Sequence, residues 1–343
     1  MTLRAALLST LVAASLAAHA APKAAKTSHR RATRAHEKAP PKPRVVFDAD
    51  DANDATLVPF LTARAAGSAV LRAQVLLDRA HFPPGEIDGR YGDNMTRAAA
   101  AFNAARGLPG GENVTAETWA ALNVDTRPVV VPYVVTADDV AGPFEPNPET
   151  MEAKAQLPSM AYASPEEELA ERFHMSPKLL ASLSGGARVA QGAELRVLDV
   201  MRTALLPAAR IVVSASDLSV TALDAEGKTL ARYPATVGSE HDPLPLGDWK
   251  IAGVGKSPVF HYDPDLFWDA HPKDSKVTVP AGPNNPVGVV WIDLSKPHYG
   301  IHGSPEPSEV GKTTSHGCIR LTNWDAAELA SLVAPGMPAL LRQ

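Results

Sequence analysis

The sequence predicts a multidomain α+β protein: a small three-helix module, extended connectors, and then an all-β domain with one appended helix. Three observations carry this. The chain has 343 residues, more than one typical domain holds. Its 31 prolines, many of them between Pro128 and Pro158, mark extended connectors between small modules. From Arg210 onward the apolar pattern changes to a period of two, the signature of half-buried strands.

The chain opens with Arg4, an apolar run from Ala5 to Ala18, and Ala18-His19-Ala20. A basic start, a short apolar core and a small-x-small site are the parts of a cleavable export signal over residues 1–20. The run is about 14 residues, short of the ~20 that a spanning helix needs, so an uncleaved anchor is the weaker reading. A lipid-modified terminus would need a cysteine near the cut, and Cys318 is the single cysteine of the chain. The expectation is therefore an exported, periplasmic protein with no integral membrane segment after cleavage. Residues 21–65 are expected as a disordered tether, Ala-, Pro-, Lys- and Arg-rich over 21–44, where nothing is available to build a core. Residues 45–343 hold 24 Lys and Arg against 37 Asp and Glu, about −13 in formal charge. An acidic folded part with a basic tail argues against nucleic acid as a partner.

Residues 66–124 read as helices. Val70, Leu71, Val75, Leu76 and Leu77 fall on one helical stripe, and Ile87-Asp88-Gly89-Arg90-Tyr91-Gly92 follows Pro83-Pro84-Gly85. An Ala-rich helix then ends near Phe102, and Thr115 opens another that carries Trp119 and Leu122. This order of parts resembles the three-helix peptidoglycan-binding module of cell-wall enzymes, with Asp88-Gly89-x-x-Gly92-x-x-x-Thr96 as the specific piece. The family usually shows Phe-Gln where this chain has Phe102-Asn103. A helical spacer that binds nothing is the plain alternative.

Residues 125–163 are expected as a linker. In 164–200, Ser164-Pro165 and Ser176-Pro177 each open a helix by capping and N1-proline logic, and Glu194 to Leu198 alternates as a strand. Helix, helix and strand resemble a degenerate LysM-type glycan-binding module without a clear first strand; a packing subdomain of the catalytic unit fits equally well.

Over 209–342, strands are expected at Ile211–Ser214, Leu218–Ala222, Thr229–Tyr233, Trp249–Val254, Val287–Asp293 and Gly300–His302. Asp224 to Lys228 supplies a hairpin turn between two of them. One helix, from Thr322 to Leu332, closes the domain. The single cysteine lies here, in Ser315-His316-Gly317-Cys318-Ile319-Arg320, with His302 sixteen residues upstream in Ile301-His302-Gly303-Ser304. A lone thiol sent to an oxidising compartment forms no intrachain disulfide and is a liability unless its chemistry is used. A free thiol is mostly protonated at neutral pH, so as a nucleophile it needs a base, and His302 is the candidate. Gly317 lets backbone approach a reacting carbonyl, which leaves its own N–H and that of Cys318 available to an oxyanion.

Pro245-Leu246-Gly247-Asp248-Trp249, Pro283-Asn284-Asn285-Pro286-Val287-Gly288, Tyr299-Gly300-Ile301-His302-Gly303 and then, after a 12-residue gap from His302, Ser315 to Asn323 together resemble the L,D-transpeptidase catalytic domain, the YkuD family. That resemblance implies a β-sandwich or barrel with an appended helix, and acyl transfer on peptidoglycan stem peptides without cofactor or metal. Cys318 would attack the third stem residue and expel the terminal D-alanine. His302 would be the base, oriented by the Gly303 carbonyl, with Gly317 as oxyanion donor and His316 in a supporting role. Arg320 would bind a stem-peptide carboxylate or else make a structural ion pair, and Ser315, Tyr299, Asn323 and Trp268 are further candidates for substrate contact. Phe267-Trp268 sits in the long Pro-rich segment from Asp263 to Pro286, expected as part of a lid, with core packing the alternative for Trp268.

Three other readings fit the same residues. His302, His316 and Cys318 could ligate a metal with His241, His261, His271 or His298, although no His-x-x-x-His or Cys-x-x-Cys spacing occurs. A sortase-like enzyme would hold its cysteine and arginine on separate strands. A wall-binding protein without activity would have no use for the thiol. The acyl acceptor, whether a second diamino acid, a lysine of an envelope protein or water, is not written in the motifs.

Overall fold

The structure, a computed structural model, describes residues 45–343. The expected export signal and the tether up to residue 44 lie outside the described residues. The rest of the expected tether is ordered: helix α1 (Ala49–Asn53) is capped by the Asp48 carboxylate, which accepts from the N–H groups of Asp50 and Asp51. Phe47 packs against Gly89, where a Cβ would lie 2.1 Å from its ring.

Three helices follow: α2 (Ser68–Arg79), α3 (Asp93–Arg106) and α4 (Ala116–Leu122). Gly107 ends α3 in the left-handed conformation at φ 66°, and Thr115 with Thr118 forms a reciprocal cap on α4. Asn103, the departure from the usual Phe-Gln, is buried and serves the module's own interior. Its amide donates to the Gly111 and Asn113 carbonyls and its oxygen accepts from Thr118.

The expected linker is not a plain connector. It supplies strand β1 (Val130–Val134) and short helix α5 (Met151–Lys154), and the helices α6 (Pro165–Arg172) and α7 (Pro177–Leu183) lead to β2 (Glu194–Leu198). β1 and β2 pair antiparallel, Val130 opposite Leu198, which gives the order strand, helix, helix, strand. The strand missing from the sequence reading thus lies 30 residues ahead of α6, inside the proline-rich stretch. Its core is also not separate. Leu71, Trp119, Val130, Leu169 and Leu195 belong to one apolar cluster, so the three helices and the strand–helix–helix–strand unit share a core, while α5 and Met160 pack on the segment from Ser275 to Asn284.

The β domain contains β3 (Arg210–Ser214), β4 (Ser219–Leu223), β5 (Thr229–Pro234), β6 (Thr236–Val237) and β7 (Gly247–Lys256). A hairpin of β8 (Phe260–Tyr262) and β9 (Val277–Val279) stands apart from the main sheet. Then come β10 (Val290–Leu294), β11 (Gly300–His302), β12 (Ile319–Arg320), helix α8 (Asn323–Leu332) and β13 (Pro338–Arg342).

Nine strands form one sheet in the order β5-β4-β3-β13-β7-β10-β11-β12-β6. β5 and β6 are its two edges, yet only Ala235 separates them in the chain. The sheet must therefore curl until its edges nearly meet, the sandwich-like barrel expected for this region. Ile211, Val213, Val220, Ile251, Ile292, Ile301 and Ile319 fill the enclosed face. Among the described residues no helix is long and apolar enough to cross a membrane.

Candidate active site

β11 and β12 run parallel, with Ile301 opposite Ile319 and His302 opposite Arg320. Side chains alternate along a strand. Ile301 and Ile319 point into the core, so His302 and Arg320 leave the opposite face, and Cys318, two residues before Arg320, leaves it too. The sequence gap of sixteen residues is thereby closed by two neighbouring strands.

His302 is 5% exposed. Its Nδ1 lies 2.7 Å from the Gly303 carbonyl oxygen. A carbonyl only accepts, so Nδ1 carries the proton and Nε2 keeps its lone pair. The Trp291 indole, opposite His302 on β10, stacks on the imidazole at 5.4 Å and 15°. Gly300 makes room for that indole, since a Cβ there would fall 2.4 Å from it. Burial pushes the imidazole down to about 4, against the opposing pull of the Gly303 bond, and the nearby Arg320 guanidinium adds to the depression. Burial pushes the partly exposed Cys318 thiol up, while a backbone bond from Gly300 and the Arg320 charge act the other way. Both shifts favour the uncharged forms, and Cys318 Sγ donates to the His298 carbonyl oxygen at 3.7 Å.

Gly317 sits at φ +96°, a conformation that side-chain residues resist, and a Cβ would lie 2.8 Å from Tyr299 Cε1. Tyr299 thus closes one side of the turn. Ser315, read as a substrate contact, is turned inward instead. Its hydroxyl donates to the Cys318 carbonyl at 2.6 Å and its N–H to Gly238, so it shapes the turn. Asn323 is likewise corrected. It is buried, its oxygen accepts the Val289 N–H, and its amide donates to Pro283 and to Glu171, which leaves nothing for a substrate.

His316 is exposed and faces away from the turn. Its Nε2 lies 2.8 Å from Asp269, with the Phe267 ring edge-on at 5.1 Å, so it ties the turn to the segment between β8 and β9. Trp268 in that segment is 60% exposed and stacks on His241 at 4.6 Å, which removes core packing as its role. Arg320 donates from Nη2 to the Thr314 carbonyl, and its buried Nε has no partner. Among the described residues no carboxylate pairs with it, so the structural ion pair considered from sequence is not formed. Among them, too, no three His, Cys, Asp or Glu side chains converge as a metal site.

A nearly closed all-β domain with histidine and arginine on one strand pair and cysteine in the turn just ahead of it suits an acyl-transfer class of enzyme, and residues 208–341 match the family model described as the L,D-transpeptidase catalytic domain. A Bacillus licheniformis L,D-transpeptidase YkuD is 31% identical over 151 residues, 44% of this chain and 75% of that protein. The Bacillus subtilis YkuD is 54% identical over 126 residues, 37% of this chain and 61% of that protein. An L,D-transpeptidase structure from Mycobacterium smegmatis is matched more distantly, at 19% identity and TM-score 0.32, covering 46% of this chain and 76% of that one. The chain belongs to the L,D-transpeptidase family, and it is an L,D-transpeptidase with a helical region ahead of the catalytic domain. The family acts on peptidoglycan, which it crosslinks.

Proposed function

We propose that the chain is an exported enzyme that cuts and rejoins peptidoglycan stem tetrapeptides through a thioester on Cys318. His302 Nε2 takes the thiol proton as Sγ attacks the carbonyl of the third stem residue. The tetrahedral oxyanion collapses, the bond to the terminal D-alanine nitrogen breaks, and His302 returns the proton to that leaving amine. An acceptor amine then attacks the thioester, and its proton passes through His302 to the departing sulfur. A base so placed is worth about 10²–10⁴-fold in rate.

The observation that carries this reading is the shared outer face of β11 and β12, with the His302 tautomer fixed by Gly303. Two others support it. The N–H groups of Gly317 and Cys318 donate to no protein acceptor among the described residues, as an oxyanion site requires. The unpartnered Nε of Arg320 beside the thiol suits the stem-peptide carboxylate. Tyr299 and Trp268 would border the bound peptide. The helical region of 66–124, and the strand–helix–helix–strand unit behind it, would hold the glycan strand near the site. The acceptor is a diamino acid of a second stem, or the lysine of an envelope protein. The Ala5–Ala18 run and its small-x-small site are the basis for placing the enzyme in the periplasm.

The test is mass spectrometry of products from residues 21–343 incubated with a disaccharide-tetrapeptide, with Cys318→Ala in parallel. Crosslinked dimers and free D-alanine from the unmodified enzyme alone are expected. Trimmed monomer alone would make water the acceptor and the enzyme a carboxypeptidase. Bound but unaltered substrate would make the protein a wall binder and defeat the proposal.

A further inference from the structure

We propose that Glu171, on helix α6 and outside the catalytic domain, is a positioning residue of the active site that holds the backbone carrying His302 through Asn323. The inference rests on His302 being the base.

The path is short and continuous. Asn323 Nδ2 donates to Glu171 Oε1 at 2.9 Å, across 152 residues of sequence. The same Nδ2 reaches the Pro283 carbonyl at 3.1 Å, and Asn323 Oδ1 accepts the Val289 N–H at 3.1 Å. That side chain lies flat against two glycines. A Cβ on Gly303 would fall 2.2 Å from Asn323 Oδ1, and one on Gly288 2.0 Å from it. Gly303 is the residue whose carbonyl holds His302 Nδ1. Thus Glu171 fixes Asn323, Asn323 packs on Gly303, and Gly303 orients the imidazole.

Glu171 is itself held for the task. The Tyr162 hydroxyl donates to the same Oε1 at 3.1 Å, and the chain around Tyr162 is laced to the loop before Val289. Met160 N–H donates to Ala281, Asn284 N–H to Met160, and the Asn284 amide to Ala161 at 3.0 Å. Gly282 permits this approach, since a Cβ there would lie 2.1 Å from the Met160 carbonyl oxygen. Three residues on, His174 stacks on Trp324, the neighbour of Asn323, at 4.8 Å and 11°. These contacts end in the segment from Ala281 to Val289, whose Val289 N lies 3.3 Å from where a Cβ on Gly303 would stand, or at the start of α8, five residues after Cys318. A catalytic geometry tolerates little displacement, because misplacement of about 1 Å can cost about 10²-fold.

The test uses residues 21–343 with Glu171→Ala, Glu171→Met and Glu171→Gln, and Glu166→Ala as a control on the same helix. Met keeps the side-chain bulk without an acceptor, which covers the case where Ala fails to fold. Gln keeps an acceptor oxygen for Asn323. Steady-state transpeptidation and the pH profile of Cys318 alkylation by iodoacetamide are measured together. The expected result for Met is a kcat lower by about tenfold with KM within about twofold, and a displaced alkylation profile. Gln should stay within about twofold of the unmodified enzyme in both. Unchanged kcat and alkylation for Met, or equal losses for Met and Gln, would overturn the proposal. Cys318→Ala and His302→Ala run alongside: if they retain turnover, the reading of the catalytic pair falls and takes this inference with it.

Discussion

His302 donates its Nδ1 proton to the Gly303 carbonyl oxygen at 2.7 Å, within a buried seat against the Trp291 indole. This bond commits the ring to one tautomer and aims the free Nε2 lone pair outward. The same burial keeps the ring neutral down to about pH 4, so it remains available as a base above that pH.

The acid limb of kcat/KM should therefore lie near pH 4 and not near the ordinary histidine value. Burial opposes the imidazolium, so admitting water moves the limb upward. Trp291→Ala should shift it toward about 6.5, read from a pH–rate profile of the stem-peptide reaction.

Gly317→Ala should cost turnover by about 10²-fold or more, because the turn that presents the two N–H groups cannot keep its shape. The added methyl meets Tyr299 at 2.8 Å and the backbone stays at φ +96°. Kinetics with circular dichroism would separate this local loss from unfolding; a variant that kept full turnover would remove Gly317 from the oxyanion role.

Arg202 bridges the helical region and α8, pairing with Asp78 at 2.6 Å, Asp325 at 2.8 Å and Glu328 at 2.5 Å. His81 and His174 complete the cluster on Glu328 and Asp78. Removing the guanidinium leaves the buried Asp325 without a cationic partner and Asp78 and Glu328 with one histidine each. Arg202→Met should destabilise the chain by about 3–5 kcal/mol in a denaturant titration.

Burial pushes the Glu86 and Glu171 carboxyls up to about 7. Lys312 and Lys178 oppose the shift at Glu86, where Asp88 and Glu306 reinforce it. At Glu171, Asn323 and Tyr162 oppose it and Glu167 reinforces it. A carboxyl raised in the folded state stabilises fully below its unfolded value of about 4.5, and that contribution is lost as pH rises through 7. Glu86→Gln should then raise the thermal midpoint relative to the unmodified chain at pH 8 and leave it unchanged at pH 4.

Much of the catalytic domain was legible from period-two alternation: β3, β4, β5, β7, β10 and β11 all appear within a few residues of their expected bounds. The two-residue strands β6 and β12 are too short to show a period, and β1 was hidden by Pro132, which its edge position tolerates. The motif around Cys318 named the chemistry but not the direction of each side chain. Ser315 and Asn323 looked like substrate contacts because a motif does not say which face of a turn a residue serves. The Glu171–Asn323 bond joins segments 152 residues apart, and neither residue lies in a pattern that announces the other.

The most direct test is intact-protein mass spectrometry of residues 21–343 quenched in acid during turnover of a disaccharide-tetrapeptide. The expected result is an adduct of the substrate minus D-alanine, mapped to Cys318 by peptide digestion, absent from Cys318→Ala and discharged by an added amine. Turnover with no adduct in the unmodified enzyme, or turnover that survives in Cys318→Ala, would contradict it.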